Sequence, residues 1–271
     1  MAKRAAGRLP PHAAQEIVLT GSASRGLADE LSDVELLLVP ARDLAPLPDC
    51  ARTLEAAGFE DVTTWTPPGG DSWWTGGRFE GVRIEAVWWA PAKVERRLDG
   101  TLAAEIVDHA RIRTAEALAN GLPLRTAGGL AAWQERLAVY PPTLAGAIVE
   151  DCAEIWGGDP PETMLTLLRP GDRLALTEWL RDDAERVLRI LHALNRAWEP
   201  GWKWLPAQVA ALAVKPDRVA ERIEEALLEP DGRRALRLLA ELAADTVALA
   251  PVTPSVVRAR HFLPALVEVL R

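Results

Sequence analysis

Asp33-Val34-Glu35 places two carboxylates one apolar residue apart, between the turn-like Ser32 and the apolar run Leu36-Leu37-Leu38-Val39. Residues two apart on a strand point to the same face, so Asp33 and Glu35 would stand together while Val34 and Leu36 turn to the core. Two like charges on one strand face repel and ask for a compensating cation. Mg²⁺ suits them, because it takes hard carboxylate oxygens and shares its coordination sphere with substrate phosphates. Upstream, the apolar run Ile17-Val18-Leu19 ends in Gly21-Ser22, followed by Ala23-Ser24-Arg25-Gly26. A glycine lets the backbone approach a ligand closely. Small residues leave N–H groups exposed that can cradle phosphate. The chemistry suggested is the handling of a phosphorylated substrate through a divalent ion.

The combination resembles the nucleotidyltransferase superfamily that includes DNA polymerase beta. Its signature is Gly-Ser or Gly-Gly, a spacer, then two acids separated by one apolar residue. Here these are Gly21-Ser22, the spacer 23–32 and Asp33-Val34-Glu35. The surrounding letters look like the small stand-alone branch that contains antibiotic adenylyltransferases. The resemblance implies that Asp33 and Glu35 hold one or two Mg²⁺ ions. It implies that Gly21, Ser22 and Ser24 bind the β- and γ-phosphates of a nucleoside triphosphate, ATP as co-substrate, with Arg25 adding positive charge. An acceptor hydroxyl would attack the α-phosphorus and pyrophosphate would leave. The second acid of the family motif is more usually Asp. Glu35 is one methylene longer, which shifts the metal and puts full activity in question.

The elements that must position these groups are strands and turns. Residues 16–20 read as a first strand feeding the Gly-Ser turn, and 33–39 as a second, closed by Pro40. Residues 1–11 read as a frayed lead, 48–58 as a helix, 61–66 as a strand and 67–71 as a loop. Residues 72–79 and 82–89 read as the arms of a hairpin turning at Glu80-Gly81. Glu85 is a lone acid in the mostly apolar second arm. The family's third acid sits on such a strand, so the resemblance assigns Glu85 to the second metal site or to taking the acceptor's proton, and both roles stay open.

Pro91 marks a change. Beyond it the periodicity is helical almost throughout: 92–120, 130–140, 143–156, 172–198, 206–214, 216–229, 231–249 and 254–270. The strongest stripe is Leu176, Leu180, Ala184, Val187, Leu191, Leu194 and Trp198. Together with the resemblance, which implies the sheet type and the closure, the expected fold class is α+β: an N-terminal nucleotidyltransferase mixed sheet with flanking helices (1–91), then an all-α helical bundle (92–271) closing over nucleotide and acceptor. A second unusual segment, from Asn195 to Pro206, concentrates three tryptophans around Lys203. By resemblance to relatives with a helical C-terminal domain, Lys203 would reach the triphosphate and Asn195 would be a polar anchor beside it.

Eleven tryptophans stand against three phenylalanines and one tyrosine, a high count for one chain. Most read as core, and those on the hairpin, Trp73-Trp74 and Trp88-Trp89, could stack on a sugar or cation of an acceptor. The acidic groups Glu150-Asp151-Glu154 and Asp182-Asp183-Glu185 read as solvated helix faces or as contacts for a cationic acceptor. A net charge of −8 argues against a long nucleic-acid contact and suits a cationic small acceptor. Two cysteines make neither a disulfide framework nor a zinc site, and the four histidines lack metal-ligand spacing. No apolar run reaches membrane-spanning length and the basic N-terminus lacks a signal-peptide core, so the expected location is cytoplasmic, with no membrane partner. Three readings stay open: adenylylation of a small hydroxylated acceptor such as an aminoglycoside-like or lincosamide-like compound, a toxin-type transferase acting on tRNA or protein, and a non-catalytic binding or antitoxin module.

Overall fold

The segments read as strands build one sheet, joined by one strand the sequence did not suggest. The computed structural model describes residues 1–66, 72–103 and 107–271, and the loop expected at 67–71 lies outside them, as do 104–106. The first elements are α1 (Ala2–Arg8), β1 (Glu16–Thr20), the single turn α2 (Gly21–Ser24), β2 (Val34–Val39), α3 (Leu47–Ala56), β3 (Glu60–Trp65), β4 (Ser72–Phe79) and β5 (Val82–Trp89). They are followed by α4 (Pro91–Ala103), α5 (His109–Ala119), β6 (Leu122–Arg125) and α6 (Gly129–Leu137). The strand order is β3-β4-β5-β2-β1-β6. Neighbours are antiparallel except β2 and β5, which run parallel.

Ile17, Leu36, Leu38, Ile84, Ala86 and Trp88 share one face of this sheet and pack with Ala5, Ala6, Leu9, Cys50 and Leu54 of the α1 and α3 region. Burial of these side chains, at about 1.5–3 kcal/mol each for the large ones, holds that face. The opposite face carries Thr20, Glu35 and Glu85, which the register sets side by side across β1, β2 and β5.

Residues 1–11 are therefore not a frayed lead. The alanines of α1 sit in the core, and Arg125 ties its end down by donating to the carbonyls of Ala6, Leu9, Pro10 and Ala14. The helical run expected over 92–120 is two helices, because Asp108 starts a new one by accepting from the N–H groups of Ala110 and Arg111. The strand β6 falls in what the sequence suggests is all-helical, and pairs with β1.

The chain forms two compact units, one of residues 1–102 and 108–139, the other of 103–107 and 140–271. The break expected near residue 91 thus falls inside the first unit, since β6 completes its sheet. The second unit is helical: α7 (Pro142–Glu154), a 3₁₀ segment (Pro161–Leu168), α8 (Arg173–Leu194), α9 (Leu205–Ala210), α10 (Val219–Leu228), α11 (Gly232–Ala248) and α12 (Pro254–Val269). The α8 stripe is its axis, with Leu176, Leu180, Ala184, Val187 and Leu191 buried as the periodicity predicts, against α7, α10 and α11. The architecture is α+β, a six-stranded mixed sheet with flanking helices and a C-terminal helical region. Among the described residues no helix is long and apolar enough to cross a membrane.

Candidate functional site

The Gly-Ser turn is built by β1 running into a backbone that only glycine takes easily. Gly21 has φ +68°, the left-handed region, and its carbonyl accepts from Ser24 Oγ at 3.0 Å and from Arg25 Nε at 3.2 Å. Ser22 O accepts from the N–H groups of Arg25 and Leu27, and Gly26, at φ +70°, turns the chain away. A second small ring returns it: Asp29 Oδ1 accepts from Ser32 Oγ at 2.8 Å and from Leu31 N at 3.1 Å. Those bonds hold the Asp29 carboxyl below its usual range, Ser32's first, and deliver Asp33 to the residue before β2.

Glu35 is the centre of the geometry. It pairs with Thr20 across β1 and with Glu85 across the parallel β5, so Glu35 and Glu85 lie side by side on one sheet face. A Cβ placed on Gly21 would come within 2.5 Å of Glu35 Oε2. The glycine therefore leaves the space that the carboxylate occupies. Glu85 is also bound on its own strand, where its Oε1 accepts from Arg83 Nη2 at 2.7 Å.

Sequence reasoning missed one further acid at this place. Glu116 of α5 reaches Arg25, whose Nη1 is 3.4 Å from Glu116 Oε1. It also accepts from Asn120 Nδ2 at 3.2 Å. Burial raises the Glu116 carboxyl above its usual value, and the charge of Glu35 adds to that, while Arg25 and Asn120 pull the other way. A glutamate on an amphipathic helix reads as solvent-facing, so only the Arg25 side of the pair was legible. Arg25 is held between the Gly21 carbonyl and Glu116 and braces the turn.

Among the described residues no group of three or more His, Cys, Asp or Glu is arranged to hold a metal ion. The structure thus brings Glu35 and Glu85 together in register without assembling a three-acid cage with Asp33. The donor set present still fits Mg²⁺, which is bound through one or two carboxylates plus substrate phosphates rather than by an all-protein cage.

In the second unit, Asn195 ends α8 and its amide is fully engaged there. Nδ2 donates to Leu191 O and Val214 O, and Oδ1 accepts from Ala213 N and Val214 N, each at 2.8–2.9 Å. Lys203 is exposed, and its carbonyl accepts from Gln208 Nε2 just after Gly201, at φ +92°. Of the acidic residues read as solvated helix faces or acceptor contacts, Asp151 and Glu154 are exposed, whereas Asp183 and Glu185 are internal. Asp183 is buried and accepts from Trp156, Trp179 and Arg186, and Glu185 pairs with Arg181 and Arg189. Glu150 accepts from Thr253 Oγ1 and Ser255 N at the start of α12, bonds that lower its carboxyl, Thr253's first.

No protein-family model matches this chain, and no curated protein matches it. Among solved structures, the chain is similar to a nucleotidyltransferase-like protein from Exiguobacterium sibiricum, at 18% identity and a TM-score of 0.41, over 99% of this chain and 89% of that one. At this identity and TM-score the likeness assigns no residue a role.

Proposed function

We propose that this protein is a Mg²⁺-dependent nucleotidyltransferase that moves AMP from ATP to a hydroxyl of a small acceptor, such as an aminoglycoside-like or lincosamide-like compound. One observation carries the reading. Glu35 and Glu85 are register partners on adjacent parallel strands, and Gly21 of the Gly-Ser turn leaves room for the Glu35 carboxylate. The acidic face and the small-residue turn, joined by sequence distance only in the motif, are here neighbours in space.

In this reading Asp33 and Glu35 hold the ion, and Gly21, Ser22 and Ser24 receive the phosphates. Mg²⁺, when bound, neutralises phosphate charge and favours departure of pyrophosphate. The acceptor oxygen forms its bond to the α-phosphorus as the bond to the bridging oxygen breaks, and that oxygen leaves with the electron pair on pyrophosphate. Glu85 stands next to Glu35 to receive the acceptor's proton. Catalysis of this type rests on positioning and charge neutralisation rather than covalent chemistry.

A second reading, a nucleotide-binding module that does not transfer, is favoured by the lack of a three-acid group among the described residues and by the engagement of Glu85 with Arg83. One experiment divides them. The purified chain is incubated with MgCl₂ and α-labelled ATP against a panel of aminoglycosides, lincosamides, bulk tRNA and protein, and pyrophosphate is measured. Label on a small acceptor, lost with chelator and in Asp33→Ala, is the expected result. Nucleotide binding without pyrophosphate release would move the protein to the second reading, and label only on tRNA or protein would replace the acceptor.

A further inference from the structure

Trp65 and Trp74 are 55% and 40% exposed, although burying indole surface is favourable. They are register partners at the outer edge of the sheet, and their rings meet edge to face, centroids 5.6 Å apart at 88°. They stand over a cleft of about 240 Å³ that also takes in Thr63, Gly76, Arg83 and Glu85. The register explains its shape. Thr63, Gly76, Glu85 and Glu35 form one cross-strand row over β3, β4, β5 and β2. Gly76 leaves the row without a side chain, and the Trp65–Trp74 pair flanks it on one side with Arg83 on the other.

Nothing in the backbone requires a glycine at 76. Its φ is not positive, and a Cβ there would meet only Thr63 Oγ1 at 3.4 Å and Ile84 O at 3.8 Å, ordinary contacts. A β-branched residue would suit a strand better. The missing side chain keeps the trough open, and the trough leads to Glu85.

The geometry points to a ring-binding subsite in this cleft, with Trp65 and Trp74 as its stacking wall, taking a saturated hydroxylated ring such as a sugar. The volume fits one ring and falls short of the roughly 300–1,000 Å³ of sites for larger ligands. An edge-to-face pair offers one indole face rather than a slot between parallel planes. That favours a ring that stacks on one side and stays hydrated on the other. The weakly positive C–H face of a sugar meets the negative indole face. Thr63 and Glu85 supply hydroxyl and carboxylate oxygens to its hydroxyl groups. As the acceptor end of a transferase, this subsite rests on the proposed function, because it would set the ring's hydroxyl beside Glu85; as a binding site it does not.

Saturation-transfer NMR on the full chain, with D-glucose, D-glucosamine and adenosine as probes, tests it. The expected result is transfer to the sugar ring protons, weakened at least tenfold in Trp65→Ala/Trp74→Ala and in Gly76→Val, and kept in Asp33→Ala without Mg²⁺. No transfer to either sugar, transfer unchanged in Gly76→Val, or transfer to adenosine alone would overturn the subsite. If Gly76→Val does not fold, the surface tryptophan variant decides in the same two directions. Sugar binding retained while pyrophosphate release fails would sink the transferase reading and leave the subsite standing.

Discussion

Gly21 and Glu35 occupy space that would otherwise be shared: a Cβ at 21 would stand 2.5 Å from Glu35 Oε2. The turn and the acid are therefore one unit, and a change in the first acts on the second. Gly21→Ala also meets the strain of a left-handed φ of +68°, about 1–2 kcal/mol for a residue with a Cβ. The Glu35 carboxylate can swing aside, so the variant is expected to fold with a lower Tm and, under the proposed function, to lose most Mg²⁺-dependent nucleotide binding. Thermal melts alongside ATP titrations with and without Mg²⁺ check this; wild-type binding in a folded variant would separate the glycine from the site.

Glu16 is a buried carboxylate 1% exposed whose oxygens accept from the N–H groups of Ala127, Gly129 and Leu130 at 2.8–3.2 Å. It satisfies donors at the start of α6 and binds that helix to β1. Glu16→Ala removes charged hydrogen bonds worth about 1.5–3 kcal/mol and leaves buried donors unpaired. Urea unfolding should show a loss of about 3 kcal/mol, with Glu16→Gln intermediate.

Glu116 makes stability depend on pH in a direction that can be worked out. Its folded carboxyl is raised above the ordinary glutamate range, chiefly through burial. The folded state then holds the proton more tightly than the unfolded one. The group's contribution is complete below about pH 4.5 and is lost as pH rises through the raised folded value. Glu116→Gln removes that slope, so wild type should lose stability relative to the variant as pH goes from 4 to 8. Paired urea titrations across that range measure the difference; a constant gap would show that the Arg25 pair cancels burial.

Both cysteines are free and 2% exposed. Burial pushes the Cys50 thiol up to about 11 and the Cys152 thiol up to about 12. Only the thiolate reacts readily, so neither should be modified by a thiol reagent near neutral pH in the native protein, and both should react in denaturant. Cys50 belongs to the first unit and Cys152 to the second, so mass mapping of the modified peptide reports which unit opens first.

The strands β1 and β2 were legible as short apolar runs bounded by turn residues, and β4 and β5 as the arms of a hairpin turning at Glu80-Gly81, while Glu85 was set beside Glu35 by the family resemblance. What escaped had no period to show. Leu122-Pro123-Leu124-Arg125 is four residues long with a proline, yet it is a strand because β1 offers an open edge. Glu116 and Asp183 look like solvent-facing helix residues, and only tertiary partners, Arg25 for one and Trp156, Trp179 and Arg186 for the other, bring them inside. Trp74 was open between core and a stacking role and Trp65 was not singled out, and the exposure of both follows from a position at the end of the sheet.

β6 reaches the sheet from more than thirty residues beyond β5. During synthesis, at about 5–20 residues per second, β1 therefore waits seconds with its outer N–H and C=O groups unpaired. An open strand edge is a template for other chains. A polypeptide released near residue 91 would keep that edge permanently and be expected to self-associate, whereas one carried to residue 139 would seal it.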